Sequence, residues 1–341
     1  MPKKVLFLAK LGPGYSYSDN TTYHEPSGLL NSSRLIVRML NKHGVNAKFV
    51  QVVDSNSIDK EVASFSPDIV IIEALWVVPE KFTELAKLHP NVQWFVRIHS
   101  EVPFLSQEGI AIQWIRSYIR QPNVHVAFNS SNTLRDFLWV FPSSKYLYLP
   151  NYFPEFEQED SISTVRPSER YVDIGSFGAI RPLKNQLIQA MAAISYADSV
   201  RKMLAFHINA TRVEGGEQIL KNLRALFANS KHNLVEHDWL SVEGFENLLA
   251  RMDVASCVSF SESFCIAAAE AVSLGVPLVC SPQIKWAYSA SYADPTNMAD
   301  IVQTITRVKD SWQSGLIKKL NRRGLKEYDR RSVKFWLEFV K

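Results

Sequence analysis

Two glutamates eight residues apart, Glu262 and Glu270, lie in the stretch Val254–Ser281, which reads VASCVSFSESFCIAAAEAVSLGVPLVCS. The apolar run Val254–Ser259 predicts a strand. The chain then turns through Phe260, Ser261 and Glu262, and a helix is expected to begin at Ser263 or Phe264. Exposed N–H groups and the dipole at such a helix start favour an anion or a hydroxyl-rich ligand. Glu262 would stand at the mouth of that helix, with Glu270 two turns in. Ala267, Ala268, Ala269 and Ala271 let the helix approach its neighbours closely, and Gly275 with Pro277 marks the return to the next strand. By spacing alone, the same residues equally describe an N-capped, Ala-rich helix carrying two solvated glutamates.

Other chemistry-bearing residues are weaker. The loop Leu11–Ser27 holds Gly12 and Gly14 and ends in Ser27-Gly28 before a helix, yet it lacks the GxGxxG spacing of a dinucleotide turn. Its Tyr15, Tyr17 and Tyr23 offer aromatic faces that suit a sugar or base, and equally describe an ordinary surface loop. His232, Glu236, His237 and Asp238 are metal-ligand types, but scattered over a strand end they read as structural. No Asp-x-Asp pair occurs anywhere in the chain. Cys257, Cys265 and Cys280 are an odd number without a CxxC, which points to free core thiols and a reducing cytoplasm rather than to nucleophiles.

The elements that must position these residues alternate. Strands are predicted at Val5–Lys10, Ala47–Val53, Asp68–Glu73, Val92–Ile98, His125–Asn129 and Lys145–Leu149, with helices at 27–43, 58–65, 79–88, 113–120 and 131–140 between them. The stretch 151–170, with Pro154, Pro167 and five acids, breaks the rhythm and reads as a linker. Strands then resume at Tyr171–Gly175, Leu204–Asn209, Asn233–His237, Val254–Ser259 and Pro277–Ser281, with helices at 183–194, 218–227, 245–252 and 265–274. Strand–helix alternation implies parallel sheets with crossovers. The fold class is therefore α/β with two Rossmann-like domains. Residues 1–152 form the first domain, 153–170 the linker and 171–320 the second domain, while 321–341 is a C-terminal helix. Ligands of such sheets gather beyond the carboxyl ends of strands.

On these residues the chain resembles the retaining GT-B glycosyltransferases of family 4, in which two Rossmann-like domains face a central cleft; the resemblance implies that the C-terminal helix 321–341 returns to the first domain. The resemblance is carried by Glu262-x7-Glu270 in its SFSESFCIAAAEAVSLGVPLV context, by Leu149-Pro150-Asn151, Val126–Ser130 and Arg97-Ile98-His99, and by GSFGAIRPLKN at Gly175–Asn185. It implies that Glu270 binds nucleotide ribose hydroxyls. It further implies that Glu262, with the N–H groups of Ser263, Phe264 and Cys265, holds the donor sugar. Lys184 would neutralise the leaving diphosphate. His99 would stand beside sugar and acceptor, so that His99, Lys184 and Glu262 form the catalytic set. Gly14 would approach the donor phosphate, and Tyr15, Tyr17, Ser27 and Gly28 the acceptor. Where the family has arginine, this chain has Ala179; Arg181, two residues on, is expected to serve instead. Charge on the departing oxygen must be met by fixed positive charge. With Lys184, Arg181 and a helix start available and no Asp-x-Asp, no metal or other cofactor is expected.

Composition bounds the partners. At 341 residues, 46% hydrophobic and 21% charged, the chain suits two soluble cores and excludes disorder and coiled coil. Only five apolar residues, Val5–Ala9, follow the N-terminal lysines, too few for a secretory leader, and no run approaches a membrane span. The net charge is +4, but the 35 residues from Arg307 to Lys341 carry eleven Lys/Arg against four Asp/Glu, a local +7 that leaves the rest at −3. The amphipathic candidate Ala111–Arg120 has only Arg116 and Arg120, so peripheral membrane contact is not expected. The expected activity is transfer of a hexose or pentose from a nucleotide-sugar to an acceptor hydroxyl of a glycan. The alternatives are transfer to a hydroxymethylated DNA base, drawn by the basic C-terminal end, and a noncatalytic nucleotide-sugar binder or GT-B epimerase.

Overall fold

The computed structural model describes residues 3–11, 28–154 and 168–341. The chain separates into two compact units, Met1–Phe153 with Asp329–Lys341, and Pro154–Tyr328.

The first unit holds strands β1 (Lys4–Lys10), β2 (Asn46–Val52), β3 (Ile69–Glu73), β4 (Gln93–Ile98), β5 (Val124–Phe128) and β6 (Tyr146–Tyr148). They form one sheet in the order β2-β1-β3-β4-β5-β6, parallel throughout. Helices α1 (Gly28–Lys42), α2 (Ser57–Phe65), α3 (Lys81–Leu88), α4 (Val102–Leu105), α5 (Ala111–Tyr118) and α6 (Ser131–Val140) make the crossovers. Because helices cover both faces, β3 (IVIIE) is buried at every position and shows no alternation. One core packs Leu6, Leu8, Val70, Ile72, Trp94 and Val96 under Ile58, Phe82 and Ile115. The other packs Val5, Phe7, Ile69 and Phe95 under Ile36 and Leu40 of α1, together with Trp336 and Val340. Helix α1 stops where Gly44 takes φ +80, a conformation costly for any residue with a Cβ.

The second unit holds β7 (Tyr171–Gly175), β8 (Met203–Asn209), β9 (Asn233–His237), β10 (Val254–Cys257) and β11 (Leu278–Cys280), with α7 (Gln186–Ser199), α8 (Glu217–Phe227), α9 (Val242–Leu249), α10 (Ile266–Ser273) and α11 (Met298–Lys309). Its parallel sheet runs β11-β10-β7-β8-β9. Counted from β7 this is the 3-2-1-4-5 order of dinucleotide-type sheets, and the winding reverses between β7 and β10.

Several expected elements differ. The helix expected from 183 begins at Gln186, because Pro182–Lys184 forms a 3₁₀ turn that ends at Asn185 with φ +60. The helix expected at Ser263 or Phe264 begins at Ile266. The C-terminal helix α12 runs Ser314–Phe339 rather than from 321, continuing through Gly315 and Gly324. Gly324 sits there for space: a Cβ would stand 2.1 Å from the Trp286 carbonyl oxygen. Helices α4 and α11 were not expected from the sequence.

Candidate functional site

In the second unit the winding reverses between β7 and β10, and both motif loops leave from the carboxyl ends of these strands, where ligands of such sheets bind. At the end of β7, Gly175 leaves room for the Phe177 ring, whose Cε2 would stand 2.2 Å from a Cβ. Gly178, at φ +113, donates its N–H to Asn209 Oδ1 at 2.9 Å. The loop then runs to Lys184 on the 3₁₀ turn. Two buried amides fix this turn. Asn185 donates to the carbonyls of Val258 (3.0 Å) and Pro295 (2.8 Å). Gln189 donates to the Lys184 carbonyl at 2.7 Å and accepts from Ser256 Oγ and Val258 N–H. Phe260 N–H donates to the Leu183 carbonyl at 2.9 Å. The loop after β7 and the loop after β10 are therefore bound to one another.

This scaffold brings Lys184 and Glu262 into direct contact: Nζ and Oε1 form an ion pair with both side chains largely buried, 15% and 12% exposed. Burial opposes the ammonium charge, but Glu262 outweighs it and holds Lys184 above the ordinary lysine value. Arg181 lies close enough to act on Lys184 electrostatically and pairs with Glu214 at 3.3 Å. Arg212 pairs with the same carboxylate at 2.7 Å. Ala179 itself is buried.

After Glu262 the backbone departs from the expected helix start. Cys265 takes φ +63, ψ 87, a left-handed conformation unusual for a residue with a Cβ, and α10 follows it. Ser263 to Cys265 therefore form a loop, and the Phe264 ring is core, packed on Trp286 and Tyr328. The Cys265 thiol meets Cys257, and this hydrogen bond holds Cys265 below the ordinary thiol value while Cys257 lies well above it. All three cysteines are free and buried.

Glu270 is 7% exposed on α10, and among the described residues no hydrogen bond or ion pair is found at its carboxylate. Burial, with Glu246 and Cys265 adding repulsion, pushes its carboxyl up to about 8. The reading of two solvated glutamates is thus corrected: Glu262 is ion-paired and Glu270 is buried, without a partner among the described residues. A buried carboxylate with spare acceptor capacity is poised for hydroxyl donors of a ligand.

In the first unit a second cluster stands at the ends of β3 and β4. Glu73 and Arg97 are partners in the β3–β4 register and both are fully buried. Arg97 Nη1 reaches both Glu73 oxygens at 3.2 Å. Its Nε donates to the Leu149 carbonyl, and its Nη2 to the Pro150 carbonyl and Asn151 Oδ1 at 2.6 Å. The guanidinium lies over the Trp336 ring at 5.4 Å. His99 Nε2 stands 2.5 Å from Glu73 Oε2, and the His99 side chain keeps 17% exposure. Burial would raise the Glu73 carboxyl, but Arg97 and His99 hold it below the ordinary value. Burial and Arg97 hold the His99 imidazole down, with Glu73 opposing them.

Gly28 is the exposed first residue of α1, whereas Gly14, Tyr15, Tyr17, Tyr23 and Ser27 lie outside the described residues. The strand-end histidines do not converge: Asp173, His207 and His237 hydrogen-bond in line at 2.9 and 2.8 Å, and His232 accepts from Leu204 N–H. Among the described residues no group of three His, Cys, Asp or Glu side chains could hold a metal, and no helix is long and apolar enough to cross a membrane. Sequence reasoning did not assign Glu73, Asn185 or Gln189 to a site. The one available signal was Glu73 itself, a charge inside an apolar strand.

No protein-family model matches the sequence, and no curated protein matches it. Solved structures do match over nearly full length. The α,α-trehalose 6-phosphate synthase of Burkholderia multivorans is 9% identical at TM-score 0.71, covering 100% of this chain and 96% of its own. An E. coli trehalose-6-phosphate structure bound with UDP-2-fluoro glucose is 9% identical at TM-score 0.69, with 99% of each chain covered. Anabaena HepE in complex with UDP and glucose is 14% identical at TM-score 0.65, again with 99% of each covered. The fold is the GT-B fold of these proteins.

Proposed function

We propose that the protein transfers a sugar from a nucleotide-sugar donor to an acceptor hydroxyl with retention at the anomeric carbon and without a metal ion. The observation that carries this reading is the second-unit site. There an ammonium–carboxylate pair and a buried carboxylate stand at the switch point of a 3-2-1-4-5 sheet. Solved neighbours of this fold hold UDP with glucose and UDP-2-fluoro glucose, which supports a nucleotide-sugar donor here.

In the mechanism, the diphosphate takes the Lys184 ammonium and the sugar hydroxyls take Glu262. Each charge is thus compensated by its neighbour before donor binds and by the donor afterwards. Glu270 accepts the ribose hydroxyls. The bond from the anomeric carbon to the phosphate oxygen breaks with its electron pair going to that oxygen, where Lys184 and Arg181 meet the developing charge. The acceptor oxygen attacks the same face, and its proton passes to the departing phosphate. His99 contributes from the first unit beside the acceptor. Three free buried thiols support a reducing, cytoplasmic setting.

The acceptor is proposed to be a glycan-type hydroxyl. One observation favours a hydroxymethylated DNA base as second reading. Lys319, Arg323, Lys326, Arg330 and Lys334 are all exposed on α12 at spacings of four, three, four and four, which aligns them on one helical face.

The test is incubation with a panel of nucleotide sugars and acceptors, followed by nucleotide release and the anomeric configuration of the product by NMR. Release tied to acceptor, with retention, supports transfer. Epimerisation of the donor, or binding without release, would replace the reading by one of its alternatives. For the acceptor, duplex binding that weakens steeply with salt supports DNA, and no binding at low salt removes it.

A further inference from the structure

Beside the Lys184–Glu262 pair stand three thiols that the transfer chemistry does not use. Cys257 ends β10 and Cys280 ends β11, and the two are partners in the register of these strands. Cys265 lies eight positions after Cys257, at the far end of the loop that carries Glu262. Its thiol meets that of Cys257 in a hydrogen bond, and both Lys184 and Glu262 are near enough to act on it electrostatically. Cys257 and Cys265 keep 7% and 8% exposure, whereas Cys280 keeps none.

The backbone decides which two can be joined. Neighbouring strands stand about 4.8 Å apart, and register partners keep about that spacing, while a disulfide draws its Cβ atoms to about 3.8 Å. Cys257 cannot close on Cys280 without moving β10, which is held between β11 and β7. Cys265 belongs to no strand. It is a loop residue at φ +63, and its thiol already touches that of Cys257. The two thiols are also unlike in character: the hydrogen bond between them favours the Cys265 thiolate and keeps the proton on Cys257, with Lys184 supporting the thiolate and Glu262 opposing it. Cys265 is thus the attacking sulfur and Cys257 the resolving one.

We propose that Cys257 and Cys265 form a redox switch, in which a peroxide converts the pair to a disulfide that displaces the Glu262 loop and weakens donor binding. The Cys265 sulfur attacks one peroxide oxygen, the O–O bond breaks, and the other oxygen leaves as water, giving a sulfenic acid. The Cys257 sulfur then attacks the Cys265 sulfur, and the S–O oxygen leaves as water with the Cys257 proton. Two thiols are oxidised by two electrons and one peroxide is reduced to two waters; a dithiol reverses the step. A bridge holds its sulfurs about 2.05 Å apart. Cys265 must therefore close on β10 and draw residues 258–264 with it, which takes Glu262 out of its place against Lys184. The bridge is a property of the free protein; its effect on a donor rests on the nucleotide-sugar reading above.

The test treats the full chain with hydrogen peroxide and maps its peptides by mass spectrometry, with UDP-glucose as the probe of the donor site. The oxidised protein should lack two hydrogens, with Cys257 joined to Cys265 and Cys280 free. Its affinity for UDP-glucose should fall roughly tenfold or more, as loss of one hydrogen bond to a charged group does, and dithiothreitol should restore it. No bridge, a bridge to Cys280, or a bridge between chains overturns the proposal, and so does a Cys257–Cys265 bridge that leaves affinity unchanged. Cys257→Ser should bind UDP-glucose like the native protein while reduced. Peroxide should then weaken binding beyond rescue by dithiothreitol, because an unresolved Cys265 climbs to the sulfinic acid; full rescue overturns the resolving role. Cys280→Ser should respond as the native protein does, and loss of its reversible response also overturns the proposal. If Cys257→Ser does not fold, the peptide map and affinities of the native protein still decide. Reduced native protein that binds no nucleotide sugar would sink the function reading and leave the bridge to be read by mass and by amide exchange over residues 258–264. Exchange there must differ between reduced and oxidised protein, and identical exchange refutes the loop movement.

Discussion

Glu270→Gln is expected to weaken donor binding and to make the protein more stable, and both effects follow from one number. Burial holds the Glu270 carboxyl at about 8 against an ordinary 4.5. In the proposed role, ribose hydroxyls bind the ionised carboxylate, the stronger acceptor. At pH 7 only about a tenth of the protein has one, so binding must draw off a proton at a cost of about 1.4 kcal/mol. Native affinity for the sugar nucleotide should therefore rise about fivefold from pH 7 to 8 and roughly tenfold from pH 6 to 7, then level off above 8. The stability sign follows from proton counts. Between 4.5 and about 8 the native carboxyl keeps a proton that the unfolded chain has lost, so stability falls as pH rises through that window. At pH 7 the accumulated cost is about 3 kcal/mol. Glutamine keeps the shape and never ionises, so the variant should gain up to about that much at pH 7 and nothing at pH 4. Calorimetric titration from pH 6 to 9, in two buffers of different ionisation enthalpy, reads affinity and proton release together, and denaturant midpoints at pH 4 and 7 read stability. A pH-independent native affinity without proton release, or a variant less stable at pH 7, would refute both the buried-acid reading and the ribose role.

Lys184→Ala should lower turnover by roughly 10²–10³-fold, as loss of one charge-stabilising donor commonly does. Glu262→Ala should lower kcat more than donor affinity if, as proposed, its carboxylate holds sugar hydroxyls more tightly in the oxocarbenium-like state; steady-state kinetics beside equilibrium binding separates the two. Asp329, 8% exposed, accepts from Phe153 N–H at 2.9 Å through Oδ1, while its buried Oδ2 has no partner, and burial raises it to about 7. Its contribution to stability falls as pH rises from its ordinary 3.8 toward 7, so thermal melts of Asp329→Asn should lose that slope and equal slopes would refute the assignment. Gly324→Ala gains about 1 kcal/mol of helix propensity but drives a methyl toward the Trp286 carbonyl. A net loss of roughly 1–3 kcal/mol in urea unfolding is expected, and an unchanged midpoint would contradict the close approach.

What was legible in the sequence divides along one physical line. Strands such as Val254–Cys257 and Tyr171–Gly175 were readable because burial on both faces of a parallel sheet writes itself as an apolar run bounded by turns. The motif loops were readable for the same reason, since they begin where those runs end. The pairing of Lys184 with Glu262 was not, because the two stand 78 positions apart and meet only through the β7–β10 pairing and tertiary hydrogen bonds such as those of Asn185, Gln189 and Phe260. Nor was the state of Glu270. Its spacing from Glu262 fits a solvated helix face as well as a buried one, and only the packing of α10 removes the water that would have held its carboxyl near the ordinary value. Glu73 makes the point from the other side. A charge inside IVIIE is so costly alone that its presence already demanded a partner. Yet that partner, Arg97, lies 24 residues away, on the adjacent strand, and becomes a neighbour only once β3 and β4 are in register. The pair also gathers the chain around it: Arg97 joins Glu73 of β3 to the carbonyls of Leu149 and Pro150 and to Asn151, so that segments far apart in sequence meet at one buried ion pair whose removal from either side would leave an uncompensated charge.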